Sequence, residues 1–206
     1  MKVSILGNNL TSLSLARMLG NQGIKVDILF DKKKKKFIKS QTLGISRTNI
    51  DFFNKNILKI NKLLWNIKNI EIFSENFDNR KILDFKNSYN HLFSIVRNND
   101  LYNQLLINLN KDKLIKFKKN TSVKRLLNSN YDLIFNCDHT HIISKKFFYN
   151  KIEKNYNSFA HITTFKHKRL LNNYIAYQVF TKNGPLAFLP ISSFETSVVY
   201  SAKIVD

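Results

Sequence analysis

The sequence has few of the residues that mark cross-links, sharp turns and membrane spans. Its 206 residues include one cysteine, Cys137, and two prolines. One cysteine excludes an internal disulfide framework and a four-thiolate zinc site. No stretch approaches the roughly 20 apolar residues of a membrane span, and the first apolar run follows Met1 too closely for a signal peptide. We therefore expect a cytoplasmic protein.

Glycine and acidic residues are scarce as well. There are five glycines, well below the usual ~7% of residues, so any motif built on glycine should look degraded. Only 14 Asp and Glu residues oppose 34 Lys and Arg residues, which leaves a net charge of +20. A surplus of this size is typical of proteins that bind nucleic acid or anionic lipid.

The kind of basic residue argues against specific nucleic-acid recognition. Lysine accounts for 28 of the basic residues and arginine for 6, alongside 28 asparagines and 23 isoleucines. Arginine makes the bidentate contacts by which proteins recognise bases, so a dedicated nucleic-acid binder should hold more of it. Joint enrichment in Lys, Asn and Ile is typical of an AT-rich coding sequence. We expect no specific nucleic-acid partner, with binding to an anionic lipid or nucleic-acid surface as the open alternatives.

The hydrophobic content of 43% is enough for a sizeable core and excludes wholesale disorder. Residues 3–7 form a short apolar run that ends in glycine, which is typical of a buried parallel strand. Apolar residues at helical spacing follow over 10–19, and 25–30 form a second strand. This order predicts a β-α-β unit with parallel strands.

Alternating and helical patterns continue along the rest of the chain. They predict helices over 46–64 and 100–109 and strands at 70–74, 81–85, 92–96, 132–137, 159–167, 174–181, 186–191 and 196–202. We therefore predict an α/β fold in which a Rossmann-like layer, residues 1–68 and 98–150, is interleaved with an antiparallel sheet, residues 69–97 and 151–206.

The turn after the first strand is a degraded dinucleotide motif. The pattern G-x-G-x-x-G normally stands there, and this chain keeps Gly7 but has Asn9 and Ser12 in the other two glycine positions. The turn can still form, and the helix start still offers amides to a phosphate, although a side chain now stands where the backbone should contact it. A ribose-binding acid is expected after the second strand, where Asp31 stands. A surface aspartate before a lysine run is an equal alternative.

The most specific pattern lies at 174–201, where Phe180 precedes G-P-L-A-F-L-P at 184–190 and V-V-Y-S at 198–201. In order and spacing this segment resembles the flavin-dependent aromatic hydroxylases of ubiquinone biosynthesis. These are the 2-octaprenyl-6-methoxyphenol hydroxylase type of the para-hydroxybenzoate hydroxylase-like FAD monooxygenases. The segments at 44–46, 98–105 and 158–167 extend the resemblance over essentially the whole chain. Because family members are roughly twice as long, we expect a degenerate N-terminal half, either a fragment or a natural short relative.

The resemblance implies an FAD-dependent monooxygenase with NAD(P)H as the transient reductant. Its substrate would be a polyprenylated aromatic ring, a lipophilic quinone precursor, and the antiparallel sheet would be an incomplete substrate domain. Such a substrate resides in the bilayer, so the resemblance also implies peripheral contact with an anionic membrane and partner proteins of ubiquinone biosynthesis. The cofactor carries the hard chemistry in such enzymes, so no catalytic side chain is assigned.

The resemblance places further cofactor-binding residues at Gln41, Asn98 and Asp138. Gln41 replaces a flavin-contacting arginine, Asn98 begins a helix near the flavin, and Asp138 keeps the acid of an Asp-Gly motif whose glycine is His139. A third motif, a Gly-Asp of the C-terminal half, is absent. We therefore expect FAD binding no better than micromolar. The alternative is a non-catalytic relative that serves as an interaction module.

Two other groups compete for a function. Cys137, His139 and His141 would share one face if the strand continued through them, as metal ligands do, but no fourth ligand is in view. We expect a buried thiol and two solvated histidines, and no metal. Residues 147–149 (Phe-Phe-Tyr) follow two lysines and resemble a base-stacking platform, but a loop packed on the sheet is the favoured interpretation.

If the lysines reflect an AT-rich coding sequence, the protein should bind duplex DNA weakly and without sequence preference. Phosphate-only contacts release counterions, so the measured affinity should fall steeply between about 0.05 and 0.2 M salt. A filter-binding or anisotropy titration across that range, with two unrelated duplexes, checks this. Sequence-selective binding that persists at about 0.2 M salt would overturn it.

Overall fold

The computed structural model describes residues 1–30, 41–78, 80–86, 91–119, 122–150, 152–170 and 173–203. The chain divides into two compact units. The first consists of Met1–Lys36, Phe52–Lys59 and Asp100–Glu153, and the second of Phe37–Asp51, Ile60–Asn99 and Lys154–Asp206. No helix among the described residues is long and apolar enough to cross a membrane.

The described residues form the following helices and strands. The helices are α1 (Leu10–Asn21), α2 (Arg47–Asn56), α3 (Asn98–Asn110), α4 (Val123–Leu127) and α5 (Ile142–Phe147). The strands are β1 (Lys2–Leu6), β2 (Lys25–Phe30), β3 (Thr42–Ser46), β4 (Trp65–Ile67), β5 (Asn69–Ser74), β6 (Arg80–Lys86), β7 (Phe93–Arg97), β8 (Ile115–Lys119), β9 (Leu133–Asn136), β10 (Ser158–Lys166), β11 (Ile175–Thr181), β12 (Gly184–Pro190) and β13 (Glu195–Lys203).

The first unit is built on a parallel sheet with strand order β8-β2-β1-β9. β1 lies in the middle of the pairings, with Val3 opposite Val26 on one side and Leu133 on the other. Helix α1 contacts both β1 and β2, which confirms the predicted β-α-β unit. Leu6 of β1 and Leu29 of β2 pack with Leu126 of α4 and Ile143 of α5. Because neighbouring strand residues point to opposite faces, apolar side chains line both faces of this sheet.

The second unit contains a larger, mostly antiparallel sheet. Its order is β10-β13-β12-β11-β5-β6, and only the β5–β11 pair is parallel. A smaller sheet of order β3-β7-β4 belongs to the same unit. Ile67 and Ile95 of the small sheet pack with Ala176 of β11 and with Ile191, forming the core between the two sheets. The mixed α/β class that the sequence predicts is the observed one.

Several boundaries differ from those predicted. The helix expected over 46–64 ends at Asn56, and β4 begins at Trp65 because Trp65 and Ile67 pair with Ile95 and Phe93 of β7. The pairings of β3 and β4 with β7 lie within the second unit. Strand β8, which the sequence patterns did not indicate, pairs with β2 at the sheet edge.

A buried carboxylate, Asp27, lies in the middle of β2 and is contacted by partly exposed lysines. Asp27 is 3% exposed, and its Oδ2 accepts hydrogen bonds from Lys118 Nζ at 2.8 Å and from the Tyr131 hydroxyl at 2.7 Å. Lys2 Nζ lies 3.6 Å from the same oxygen. Burial alone would raise the pKa of Asp27, but these hydrogen bonds and charges outweigh it and hold the pKa below its usual value. Burial and the bond to Asp27 raise the pKa of Tyr131 to about 12.

These pKa shifts predict that the free energy of unfolding decreases at both acid and alkaline pH. The contribution of Asp27 is fully present above its unfolded pKa of about 4 and is lost as the pH falls through the lower folded pKa. The contribution of Tyr131 is present below about pH 10 and is lost as the pH rises toward 12. Asp27→Asn should lower the free energy of unfolding at neutral pH by about 2 kcal/mol. It should also make that free energy less dependent on pH in the acid range.

Urea unfolding followed by circular dichroism between pH 3 and pH 8 measures this effect. Asp84→Asn is the matched control, because Asp84 pairs with Lys81 and Lys86 at the surface and should contribute little. Equal losses from the two variants would contradict the role assigned to Asp27.

Candidate functional site

The turn from β1 into α1 depends on a glycine. Gly7 has φ +104°, a conformation that residues with a side chain rarely adopt. Its N–H donates to the Leu29 carbonyl at 2.8 Å, which fixes the turn against β2. A Cβ added at Gly7 would lie 3.3 Å from Cβ of Asp138 and 3.4 Å from Oγ of Ser12. The turn therefore brings the start of α1 close to the loop that follows β9.

Asn9 caps helix α1 and ties it to that loop. Its Oδ1 accepts the Ser12 N–H at 3.0 Å, and Oγ of Ser12 accepts the Asn9 N–H at 3.1 Å, which completes a capping box. Nδ2 of Asn9 donates to the Cys137 carbonyl at 2.7 Å. The two residues at the second and third glycine positions of the dinucleotide pattern thus bond to each other, and Asn9 also bonds to the residue that follows β9.

Asp138 stands opposite Gly7 and is held by its own loop. Its Oδ1 accepts hydrogen bonds from the Thr140 N–H at 2.9 Å and from the Thr140 hydroxyl at 2.7 Å. A cavity of about 450 Å³ lies here, lined by Gly7, Asn8, Asn9, Asp138 and Thr140. Nδ2 of Asn8 is buried in the described structure with no hydrogen-bond partner. Asn8 and Thr140 were not among the predicted site residues, and no sequence signal marks them beyond their position beside Asn9 and Asp138.

These groups fit the phosphate and hydroxyl groups of a dinucleotide. The first N–H groups of a helix have no partner within it, so those of Leu10 and Thr11 can donate to an anion at the positive end of the helix dipole. The unpartnered Asn8 Nδ2 is a further donor beside the cavity. The Ser12 N–H is already used by Asn9, so the turn has one amide fewer to offer than a glycine turn would have.

Gln41 and Asn98 form a separate pair in the second unit. The Asn98 N–H donates to the Gln41 carbonyl at 3.0 Å, and Nδ2 of Asn98 donates to Oε1 of Gln41 at 2.9 Å. Oδ1 of Asn98 is buried with no hydrogen-bond partner in the described structure. The structure therefore brings Gly7, Asn9, Ser12 and Asp138 together in one unit and joins Gln41 to Asn98 in the other. Asp31, like the lysine run after it, lies outside the described residues.

The alternative metal site does not have the geometry it required. Strand β9 ends at Asn136, so Cys137, His139 and His141 do not continue along one strand face. His141 is buried rather than solvated, and its Nδ1 accepts the Ile143 N–H at 3.2 Å as the cap of α5. Within the described part of the chain, no three His, Cys, Asp or Glu residues are grouped to hold a metal ion. Burial raises the pKa of the Cys137 thiol, so the thiolate is disfavoured.

No protein-family model and no curated protein matches the sequence. The fold, however, is similar to solved monooxygenase structures. p-Nitrophenol 4-monooxygenase PnpA from Pseudomonas putida has a TM-score of 0.77 at 14% identity, over 99% of this chain and 58% of that one. PqsL from Pseudomonas aeruginosa, described as a probable FAD-dependent monooxygenase, has a TM-score of 0.74 at 14% identity, over 98% and 60%.

CtdE, solved in complex with FAD, has a TM-score of 0.69 at 13% identity, over 100% of this chain and 60% of that one. The chain therefore covers about three fifths of the length of these proteins, less than two thirds of each structure it matches. At these identities the likeness establishes the fold and not the activity.

The geometry of the turn predicts that Gly7→Ala is destabilising. The added Cβ has to accept φ +104° and a close contact with Asp138, so we expect a loss of about 2 kcal/mol in the free energy of unfolding. Gly44→Ala is the control, because the structure gives Gly44 no positive φ and its added Cβ would meet Phe93 at an ordinary 3.5 Å. Urea unfolding of both variants measures the difference. Equal stability of the two would contradict the strained turn.

Proposed function

We propose that this protein is an FAD-dependent monooxygenase that hydroxylates a polyprenylated aromatic ring, a precursor of ubiquinone, with NAD(P)H as the transient reductant. The observation that carries the proposal is the cavity at Gly7 and Asp138, at the carboxyl ends of parallel strands β1 and β9. Ligands of open α/β sheets bind at this end of the strands. The likeness to FAD-dependent monooxygenases in fold supports the same cofactor.

The residues of the first unit divide the binding of FAD between them. The backbone at Gly7 would allow close approach of the cofactor, and the N–H groups of Leu10 and Thr11 would donate to its pyrophosphate. The Asp138 carboxylate repels phosphate, so it suits the hydroxyl groups of the cofactor instead. When bound, FAD supplies the redox chemistry that activates oxygen, and the protein supplies binding and orientation.

The larger sheet offers an aromatic surface for a ring substrate. Tyr177 of β11 lies opposite Phe188 of β12, and its ring centroid is 6.3 Å from that of Phe73 of β5. Paired and adjacent residues of this kind share one face of a sheet, so the three rings form a contiguous aromatic row. Such a row is suited to a planar, lipophilic ring. Contact with an anionic membrane would give the protein access to such a substrate.

A second candidate function is favoured by the capping box. Asn9 and Ser12 satisfy each other, and Asn9 also holds Cys137, so the turn is stable without a ligand. This arrangement suits a relative that keeps the fold as an interaction module and no longer binds the cofactor, for instance with partner proteins of ubiquinone biosynthesis. FAD affinity distinguishes the two functions.

Substitutions at Asn9 test the proposed site. We expect the unmodified chain to bind FAD with a Kd no better than micromolar. Asn9→Gly frees the Ser12 N–H and removes a side chain at the turn, and should therefore tighten FAD binding about tenfold. The variant should still fold, because glycine at a helix cap costs only a few tenths of a kcal/mol. Asn9→Asp keeps an oxygen for the cap but adds a negative charge beside the phosphates, and should weaken binding.

Quenching of flavin fluorescence during titration measures all three affinities. Nanomolar binding by the unmodified chain would show that the missing glycines matter far less than we propose. No binding by any form would favour the interaction module. Addition of a short-chain prenylated phenol should alter the visible spectrum of bound flavin more than the unprenylated phenol does, and equal effects would count against a polyprenylated substrate.

A further inference from the structure

One surface of the first unit is both apolar and exposed. Phe147 is 50% exposed, Phe148 68% and Tyr149 77%, and Leu127 at the end of α4 is 43% exposed. The expectation that 147–149 pack on a sheet is therefore wrong. Leu126 and Ile143 provide the internal contact between α4 and α5, which leaves the aromatic residues after them on the outside. We call the exposed residues of 124–127 and 145–149 the α4–α5 surface.

A groove connects the two parts of this surface. It has a volume of about 490 Å³ and is lined by Leu127, Ile134, Ile143, Phe147 and Phe148 among others. It lies beside β9, which is an edge strand of the described sheet. The surface is thus a continuous apolar depression bordered by aromatic rings, and not a set of isolated exposed residues.

The α4–α5 surface also carries four basic side chains. Lys124, Arg125, Lys145 and Lys146 are all exposed, and no acidic residue occurs in 122–128 or 142–150. Within the described residues none of the four takes part in an ion pair, whereas Lys81 and Lys86 are paired with Asp84, and Lys118 with Asp27. Lys146 lies 5.5 Å from the centre of the Phe147 ring. Positive charge and an aromatic ring therefore meet at Lys146 and Phe147, and the other three basic residues belong to the same two segments.

We propose that the α4–α5 surface docks the protein on an anionic lipid bilayer. The proposal rests on the proposed function in one respect, since a polyprenylated substrate is reached at the membrane. Aromatic rings favour the membrane–water interface, and each lysine near an anionic leaflet adds to the attraction. A second copy of the chain is a poorer occupant, because it would bring the same four basic side chains against this surface.

Co-sedimentation with vesicles tests the proposal, using phosphatidylcholine alone and phosphatidylcholine with phosphatidylglycerol. The unmodified protein should prefer the anionic vesicles. Lys145→Gln with Lys146→Gln should lower this partition about thirtyfold, and Phe147→Ser with Phe148→Ser about tenfold or more. The phenylalanine contribution should persist at high salt, because burial of apolar surface is not screened as charge is.

Matched variants separate the surface from total charge and total hydrophobicity. Lys111→Gln with Lys113→Gln removes the same charge elsewhere in the first unit, and Phe52→Ser with Phe77→Ser removes two rings that are 52% and 62% exposed. Both control pairs should leave the partition within about threefold of the unmodified value. Equal effects of the surface and control variants would overturn the proposal, as would equal partition onto the two kinds of vesicle.

Two further measurements keep the outcome distinct from that of the proposed function. The vesicle assay is done without flavin, and Asn9→Asp should leave the partition unchanged even where it weakens FAD binding. Sedimentation equilibrium measures self-association of the protein alone. A dimer that Phe147→Ser with Phe148→Ser abolishes, together with no vesicle binding, would identify the surface as an interface between copies and would refute membrane docking.

Discussion

The positive φ of Gly7 is the constraint on which the rest of the first unit depends. At +104° the backbone turns from β1 into α1 within three residues, and a Cβ there would press on Asp138. Only this sharp turn lets the start of α1 lie beside the loop after β9. The amides of one element, the carboxylate of another and the cavity between them are placed by that single backbone conformation.

The same turn shows how one residue can stabilise a helix start and leave fewer free donors there. Asn9 occupies a position where a dinucleotide motif has glycine, and its side chain satisfies the Ser12 amide and the Cys137 carbonyl. A helix start that is capped internally costs less to bury and offers less to an anion. The scarcity of glycine in this chain therefore has a local consequence, since the substitute supplies its own hydrogen bonds where a cofactor would supply them.

The lysines of the chain have two different kinds of surroundings. Lys118 and Lys2 are partly exposed and contact the buried Asp27, whereas Lys145 and Lys146 are exposed and directly precede the exposed Phe147. Composition alone treats these lysines alike. Their surroundings separate those that stabilise the fold from those that can face an anionic surface, and the net charge of +20 is not evidence for either role by itself.

Local patterns in the sequence determined the β1-α1-β2 unit, the turn at Gly7 and strands such as β12, because each has a regular apolar period or a residue with special backbone freedom. They also indicated the fold class. Only the tertiary structure decided where α2 ends and that β4 and β8 form, since these short strands depend on partners distant in the chain. The capping bonds of Asn9, the pairing of Gln41 with Asn98 and the exposure of Phe148 likewise follow from which segments meet in space. A linear pattern records the period of a segment but not the surface that covers it.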